Sequence, residues 1–252
     1  MALTIDFSGK VVLVTGGTKG VGRGIAQRFA DAGATVATCA RHAVDDLPAD
    51  WVFVPADLRS ADGCFAMVDA VAERCGRLDM LVNNAGGGPL LDTATAPPRT
   101  TERILALNLN SAIFCSQAAH PHLLAAGDGA SIVNIASVCA FRHSPMAAAY
   151  GAAKAGLVNY TRTTGHEWAP RIRSNAVVVG LVRTELSHVY YGDEAGIERV
   201  GATIPMGRLA TPAEIGDVAV WLSSPLASYV TGAAVEAVGG GDRPAFLDAA
   251  AG

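Results

Sequence analysis

Two residues that can transfer a proton, Tyr150 and Lys154, stand four positions apart in the sequence. The residues around them, 146–149 and 152–153, favour a helix, so both side chains should lie on one helix face. A free phenol titrates near ~10, and a neighbouring ammonium lowers that pKa. We therefore predict a proton-transfer pair. The same spacing also occurs in ordinary surface pairs, so the rest of the chain has to support this interpretation.

A hydroxyl group precedes this pair in the sequence. Ser137 follows the apolar run 131–136, which is typical of a buried strand. A hydroxyl at the end of such a strand can hold a substrate oxygen. Ser137 is therefore a candidate partner of Tyr150 in binding a carbonyl group.

A glycine-rich turn follows the β-branched run Val11–Thr15, and a helical pattern then continues to Ala32. The glycines are Gly16, Gly20 and Gly22, a spacing that matches neither the Walker A pattern nor the common Gly-x-Gly-x-x-Gly motif. Such a turn lets the main chain approach a pyrophosphate at a helix N-terminus. We predict nucleotide binding here; the alternative is an ordinary glycine-rich connection.

The end of the second predicted strand, 35–39, indicates which dinucleotide is used. NAD enzymes usually carry an acid near this position to bind the ribose 2′-hydroxyl, but this chain has Ala40 followed by Arg41. Arg41, together with Lys19 in the glycine turn, suits an anionic 2′-phosphate. The sequence therefore favours NADP(H), with NAD(H) as the alternative if Arg41 is only a solvated surface charge.

The remaining periodic segments complete an α/β pattern. Further strands are predicted at 51–55, 78–82, 131–136, 172–179 and 229–238, and helices at 60–75, 100–125, 150–168 and from 211 onward. This alternation predicts a single-domain, Rossmann-type doubly wound parallel sheet with helices on both faces, covering residues 1–252. Asn108 lies inside the long helix 100–125, where a poor helix former indicates a specific partner or a distortion.

Residues 181–206 follow a strand end and show no clear period. A long, partly helical segment at the carboxyl end of a strand is a candidate substrate lid. The alternative is a surface helical hairpin that only packs.

Composition excludes several function classes. Half of the 252 residues are apolar, 17% are charged, and the formal net charge is −4, with no long basic run. These values disfavour nucleic acid and membrane partners and predict a large core or an oligomer. The five dispersed cysteines and the N-terminus without a signal-peptide pattern predict a cytoplasmic protein with reduced thiols. No histidine spacing indicates a metal site.

These motifs, in this order and spacing, resemble the short-chain dehydrogenase/reductase family over nearly the full chain, particularly its 3-oxoacyl reductase-like and glucose-dehydrogenase-like members. The resemblance rests on Thr15-Gly16-x-x-x-Gly20-x-Gly22, Asn83-Asn84-Ala85-Gly86, Asn108, Ser137 and Tyr150-x-x-x-Lys154. It implies about seven parallel strands and a homotetramer, with a dimer as the alternative. Three departures stand out: Val179 where Pro is common, Val238 where Asp is common, and a segment 170–175 that is one residue short.

The resemblance also implies roles for individual residues. Tyr150 would donate or accept the proton, Lys154 would lower its pKa and bind the nicotinamide ribose, and Ser137 would orient the carbonyl. Asn108 would hold a water that relays protons to Lys154, and Asp57 would contact the adenine. The implied cofactor contacts are Gly16, Thr18, Lys19, Gly20, Val21, Arg41, His42, Asp57, Leu58, Asn84, Ala85, Gly86, Tyr150, Lys154, Gly180, Val182 and Thr184.

The predicted function is NADP(H)-dependent interconversion of a ketone or 3-oxoacyl group and a secondary alcohol. The alternatives are an NAD-dependent alcohol dehydrogenase and a non-catalytic dinucleotide-binding sensor or scaffold. Predicted pocket walls at 87–91, 138–146 and 181–205 are mainly apolar and favour a hydrophobic substrate over a free sugar. Residues 125–128 carry no basic side chain, which favours a small molecule or CoA ester over a carrier protein.

Overall fold

The alternation of strands and helices in the sequence produces one twisted parallel sheet in the computed structural model, which describes residues 4–244. Residues 1–3 and 245–252 of the predicted domain lie outside the described residues. The strands are β1 Val11–Thr15, β2 Thr35–Ala40, β3 Val52–Pro55, β4 Met80–Asn83, β5 Ser131–Ser137, β6 Arg173–Val179 and β7 Ala234–Ala237. Their order in the sheet is β3-β2-β1-β4-β5-β6-β7. The predicted fold class is confirmed.

Eight α-helices within residues 4–244 flank this sheet. They are α1 Gly20–Asp31, α2 Ala61–Cys75, α3 Pro98–Leu105, α4 Ser111–Ala126, α5 Ala148–Glu167, α6 Ser187–Tyr191, α7 Glu194–Ala202 and α8 Pro212–Ser223. No helix within these residues is long and apolar enough to cross a membrane. All five cysteines are free thiols.

Alternating strand residues fill two separate cores, one on each face of the sheet. In β1, Val11 and Leu13 pack with α2 and α4 on one face, whereas Val12 and Val14 pack with α1 and α8 on the other. Successive side chains of a strand point to opposite faces, so an all-apolar strand needs helices on both. The β-branched run at 11–15 therefore has the composition that its central place in the sheet requires.

Two segments differ from the predictions. The last strand covers only Ala234–Ala237, because the chain from the fully exposed Tyr229 to Gly232, which has a φ of +73°, turns before it enters the sheet. The predicted long helix 100–125 is divided by a π-helical turn, Ala106–Asn110, between α3 and α4. Asn108 lies within this turn, as expected for a distortion at a poor helix former.

Candidate active site

A cleft of about 880 Å³ opens at the carboxyl ends of the strands, where the strand order reverses between β1 and β4. Ligands of doubly wound sheets bind at such a switch point. Its walls include the predicted residues Gly16, Thr18, Lys19, Gly20, Val21, Arg41, His42, Asp57, Leu58, Asn84, Ala85, Gly86, Ser137, Tyr150, Lys154, Gly180, Val182 and Thr184. Asn108 lies behind this wall. The fold thus brings together residues that are up to 168 positions apart in the sequence.

Tyr150 and Lys154 lie one turn apart on α5, and Ser137 ends the neighbouring strand β5. The Ser137 hydroxyl faces the Tyr150 phenol and acts to lower its pKa. Lys154 Nζ is 5.7 Å from the centroid of the Tyr150 ring and donates a hydrogen bond of 2.7 Å to the Ile135 carbonyl. Strand β5 therefore positions two of the three polar groups, one through its last side chain and one through its main chain.

Burial controls the protonation states of this pair. Burial of the phenol raises the pKa of Tyr150, which the Ser137 hydroxyl only partly offsets. Burial also lowers the pKa of Lys154 to about 8 from its ordinary 10.5. The low-dielectric surroundings therefore disfavour both charged forms, whereas the expected influence of Lys154 on the Tyr150 pKa acts in the opposite direction. The phenol of Tyr150 is consequently neutral at pH 7.

Asn108 connects the π-turn to the loop after β4 through main-chain contacts. Its Oδ1 accepts from the Gly87 N–H at 2.7 Å, and its Nδ2 donates to the carbonyls of Gly87 and Ile104, each at 2.9 Å. A Cβ placed on Gly86 would lie 2.6 Å from Asn108 Oδ1 and 3.3 Å from Lys154 Nζ. Gly86 is therefore the point at which the Asn108 amide and the Lys154 ammonium approach each other.

A buried polar chain supports α5 beneath the site. Asn83 Nδ2 donates to Asn134 Oδ1 at 2.8 Å, and Asn134 Nδ2 donates to Thr161 Oγ1 at 2.9 Å. Thr161 in turn donates to the Leu157 carbonyl one helical turn back, at 2.8 Å. Because buried hydrogen bonds are directional, this series of hydrogen bonds joins β4, β5 and α5 and limits movement of the helix that carries Tyr150.

The glycine turn is held against the end of β4. Thr15 Oγ1 accepts from the N–H groups of Asn84 and Ala85, each at 3.0 Å, and Asn84 Nδ2 donates to the Thr15 carbonyl at 2.9 Å. A Cβ on Gly22 would lie 2.3 Å from Asn84 Nδ2 and 2.4 Å from the Gly16 carbonyl oxygen. Helix α1 can therefore begin close to this loop only because position 22 lacks a side chain.

Basic residues collect at the opposite end of the cleft. Arg41 and Lys19 are exposed there, at the end of β2 and before α1. Asp57 forms a bidentate ion pair with Arg59, and Arg59 chiefly, with a smaller contribution from Arg41, lowers the pKa of Asp57 to about 2. Sequence reasoning missed Arg59, because nothing in the motif shows that it folds back onto Asp57.

Sequence reasoning also missed part of the cleft wall. Helix α3 contributes Thr100, Arg103 and Ile104, and Leu107 follows from the π-turn. These residues carry no recognisable motif, so only the fold shows that they face the cleft. The position of the predicted helix could have indicated that these residues face the cleft. A helix that follows the loop 83–88 has to pass beside the carboxyl ends of the strands.

The segment after β6 lies next to the glycine turn. Val182 pairs with Ala210 in an isolated parallel bridge, and Arg183 forms an ion pair of 2.7 Å with Glu194. A Cβ on Gly20 would lie 3.6 Å from Glu185 Oε1. Two valines depart from the family pattern: Val179 pairs in register with Ala237, and the Val238 carbonyl accepts from the Gly241 N–H at 3.1 Å.

The cleft suits a phosphorylated dinucleotide. A glycine-rich main-chain cradle lies at the N-terminus of α1, where a pyrophosphate would find free N–H groups and the positive helix end. Helix α1 has no acid in its first turn, and Lys19 at its N-cap makes no side-chain cap bond. A dinucleotide with its pyrophosphate at this turn would reach from the basic end of the cleft toward Tyr150.

Comparisons with known proteins cover nearly all of the chain. A family model described as enoyl-(acyl carrier protein) reductase matches residues 16–241. A tropinone reductase homolog of Arabidopsis thaliana is 34% identical over 251 residues, which cover 93% of each chain. The 2-dehydro-3-deoxy-D-gluconate 5-dehydrogenase of Escherichia coli strain K12 is 33% identical over 243 residues, covering 93% of this chain and 96% of that enzyme.

The solved structures include a complex with a cofactor. The RhlG/NADP active-site complex of Pseudomonas aeruginosa is 32% identical to this chain, with a TM-score of 0.88 and coverage of 95% of this chain and 99% of that one. The likeness therefore extends over the sheet, the helices on both of its faces and the strand ends that form the cleft.

Proposed function

We propose that this chain, which belongs to the short-chain dehydrogenase/reductase family of oxidoreductases, uses NADP(H) to interconvert a ketone or 3-oxoacyl group and a secondary alcohol. The observation that carries this proposal is that Ser137, Tyr150 and Lys154 line the same cleft as the glycine turn. Two hydroxyls and an ammonium next to a dinucleotide cradle have the chemistry that carbonyl reduction needs.

In the direction of reduction, a dinucleotide held by the glycine turn would supply the hydride to the carbonyl carbon. Ser137 donates a hydrogen bond to the carbonyl oxygen, where negative charge develops, and Tyr150 delivers a proton to the same oxygen. The raised pKa of Tyr150 keeps the phenol protonated at neutral pH. Lys154 and Asn108, on either side of Gly86, lead protons back to Tyr150 through water. The cycle consumes one hydride and one proton for each ketone.

The proposed preference for NADP(H) rests on charge at the basic end of the cleft. Arg41 and Lys19 provide two cations, and position 40 is an alanine, where an NAD enzyme usually has an acid. Asp57, the nearby acid, is paired with Arg59 and therefore adds little uncompensated negative charge. A relative solved with NADP is in line with this preference.

The proposed substrate is apolar next to its carbonyl. Segments that flank Ser137, Tyr150 and the proposed lid, residues 181–206, carry large exposed apolar side chains: Leu90, Phe141, Met146, Leu186, Tyr190 and Met206. The Leu91 N–H donates to the Met146 carbonyl at 2.7 Å, which joins two of these segments. A hydrophobic ketone or acyl thioester would cover these side chains, whereas a free sugar would leave them in water.

We also propose a homotetramer in the cytoplasm, with a dimer as the alternative. The apolar half of the composition favours additional surface buried between subunits, and five free thiols suit a reducing compartment. Light scattering coupled to size-exclusion chromatography gives the subunit number directly.

The activity is tested by following nicotinamide absorbance with NADPH and NADH across hydrophobic ketones, 3-oxoacyl thioesters and sugars. We expect Tyr150→Phe to lower kcat by at least ~100-fold, since it removes the proton donor. The control is Tyr160→Phe, on the same helix, whose ring packs edge-on against Trp168 with 6.5 Å between centroids. Full turnover by Tyr150→Phe would exclude the mechanism. Tight NADPH binding without turnover on any substrate would instead favour a sensor or scaffold.

The cofactor preference is tested separately. Arg41→Asp should reverse the ratio of kcat/KM values for NADPH and NADH, because the new carboxylate repels the 2′-phosphate and accepts a bond from a 2′-hydroxyl. An unchanged ratio would show that Arg41 does not bind the 2′-phosphate, and it would leave the assignment of Tyr150 unaffected.

A further inference from the structure

Arg23 connects the first turns of α1 to the segment between β2 and β3. Its Nη2 donates a hydrogen bond of 2.8 Å to the Asp46 carbonyl. Its Cζ lies 4.9 Å from the centroid of the Trp51 ring, which is buried. One side chain, placed directly after the glycine turn, therefore contacts both the middle and the end of the segment 41–51.

This segment forms one wall of the basic end of the cleft. Residues 41–50 contain neither helix nor strand, and residues 41–44 line the cleft. Irregular segments keep their position through tertiary contacts, because they lack a ladder of main-chain hydrogen bonds. The position of Arg41 and His42 therefore depends on what holds the rest of the segment.

The shape of the Arg23 contact is specific to a guanidinium. Its two partners are a main-chain oxygen and the face of an indole, and neither is a carboxylate. The Nη1 atom is buried and has no hydrogen-bond partner within residues 4–244. A planar guanidinium can stack and donate at the same time, whereas a lysine ammonium is a point charge. The contact therefore depends on geometry more than on net charge.

We infer that Arg23 is a positioning residue for the adenosine end of the cofactor, acting through Trp51 and Asp46 on the segment that presents Arg41 and His42. This inference rests on the proposed use of NADP(H). Arg23 does not line the cleft, so its effect on the cofactor passes through the segment. It should govern affinity for the 2′-phosphate and leave the proton-transfer step unchanged.

The test compares Arg23→Met and Arg23→Lys with Arg28→Met. Arg28 lies on the same helix and is exposed, where it pairs with Asp31 and Asp217. The first measurement uses the free protein: hydrogen exchange in residues 42–50 should be at least ~5-fold faster in both Arg23 variants and unchanged in Arg28→Met. This measurement needs neither cofactor nor substrate.

The second measurement is the Kd of NADPH and of NADH for the same proteins. Arg23→Met should weaken NADPH binding about 10-fold, because the segment that loses this cation–π contact and hydrogen bond then has to be ordered when the cofactor binds. NADH binding should change less than ~2-fold, because NADH has no 2′-phosphate to engage Arg41. The kcat at saturating NADPH should stay at the wild-type value.

Three results would overturn the inference: unchanged exchange in Arg23→Met, wild-type behaviour of Arg23→Lys in both measurements, or equal weakening of NADPH and NADH. The second would show that charge alone matters, and the third would show damage to the glycine turn. A wild-type protein that binds NADH more tightly than NADPH would contradict the proposed cofactor instead. Faster exchange confined to the Arg23 variants would then still support the positioning of segment 41–51.

Discussion

Replacing Lys154 with Met should change how the stability of the protein depends on pH. The ammonium is 3% exposed, and its main contact is the Ile135 carbonyl at 2.7 Å. Burial lowers its pKa to about 8, whereas the unfolded chain should titrate near the ordinary 10.5. Below pH 8 both states bind the proton, and the folded state bears the full cost of burying the charge. Between the two pKa values the unfolded state binds more protons, so the free energy of unfolding rises with pH.

The size of the effect follows from the gap between the two pKa values. The penalty is about 3 kcal/mol at pH 7 and falls to about 2 kcal/mol at pH 9, so raising the pH should recover about 1 kcal/mol of the Lys154 contribution. Lys154→Met removes the titrating group and should not show this gain. Tyr150 remains neutral over the same range, since burial raises its pKa, and it adds no slope of its own.

The assay is urea unfolding of the wild type and Lys154→Met at pH 7, 8 and 9, at equal protomer concentration because subunit association also contributes to stability. The difference in free energy of unfolding between the two proteins should move by about 1 kcal/mol in favour of the wild type between pH 7 and pH 9. Lys19→Met, at an exposed lysine, is the control and should parallel the wild type. Parallel profiles for Lys154→Met as well would refute the reasoning from a buried ammonium.

Two further substitutions test the site and the fold. Gly86→Ala would place a Cβ 2.6 Å from Asn108 Oδ1 and 3.3 Å from Lys154 Nζ. We expect kcat to fall by about 100-fold, because these two groups would be displaced. Wild-type turnover would show that the Asn108 amide can shift without loss of activity. Thr211→Val removes the hydroxyl that accepts from the Glu214 N–H at the start of α8, so urea unfolding should show a loss of about 1 kcal/mol. The control is Thr163→Val, at an exposed position of α5, which should change the free energy of unfolding by less than ~0.5 kcal/mol. An equal loss in the Thr211 and Thr163 variants would argue against the N-cap role of Thr211.

The strands and helices were predictable where the residue types of a segment match the burial that the fold gives it. Val11–Thr15 is apolar and β-branched throughout, as suits a strand buried on both faces, and Thr211 to Glu214 carries a capping box that fixes the start of α8. Asn108 indicated a distortion, which the π-turn confirms. The last strand was predicted too long, because the exposure of Tyr229 depends on where the chain turns and not on its own apolar character.

The placement of the proposed site residues was predictable from the sequence, but the electrostatics around them were not. The spacing of Tyr150 and Lys154 indicated one helix face, and the apolar run before Ser137 indicated a strand end; the structure places them so. The raised pKa of Tyr150 could not be predicted from the motif, because it depends on how much water reaches the phenol, and that follows from packing. Arg59 was missed for a similar reason, as its pairing with Asp57 is set by how the chain turns after β3.

Lys154 and Asn108 are held by main-chain atoms, whereas the proposed substrate contacts are made by side chains. Both side chains hold on to main-chain atoms: Lys154 to the Ile135 carbonyl, and Asn108 to the main chain of Gly87 and Ile104. A peptide group is present whatever side chain a position carries. We therefore expect that substitutions at the exposed apolar residues of the proposed substrate surface, for example Phe141 or Met146, alter which ketone is reduced and leave these main-chain contacts in place. Under the proposed function, libraries at such positions should yield variants with other substrate ranges and the same proton-transfer residues.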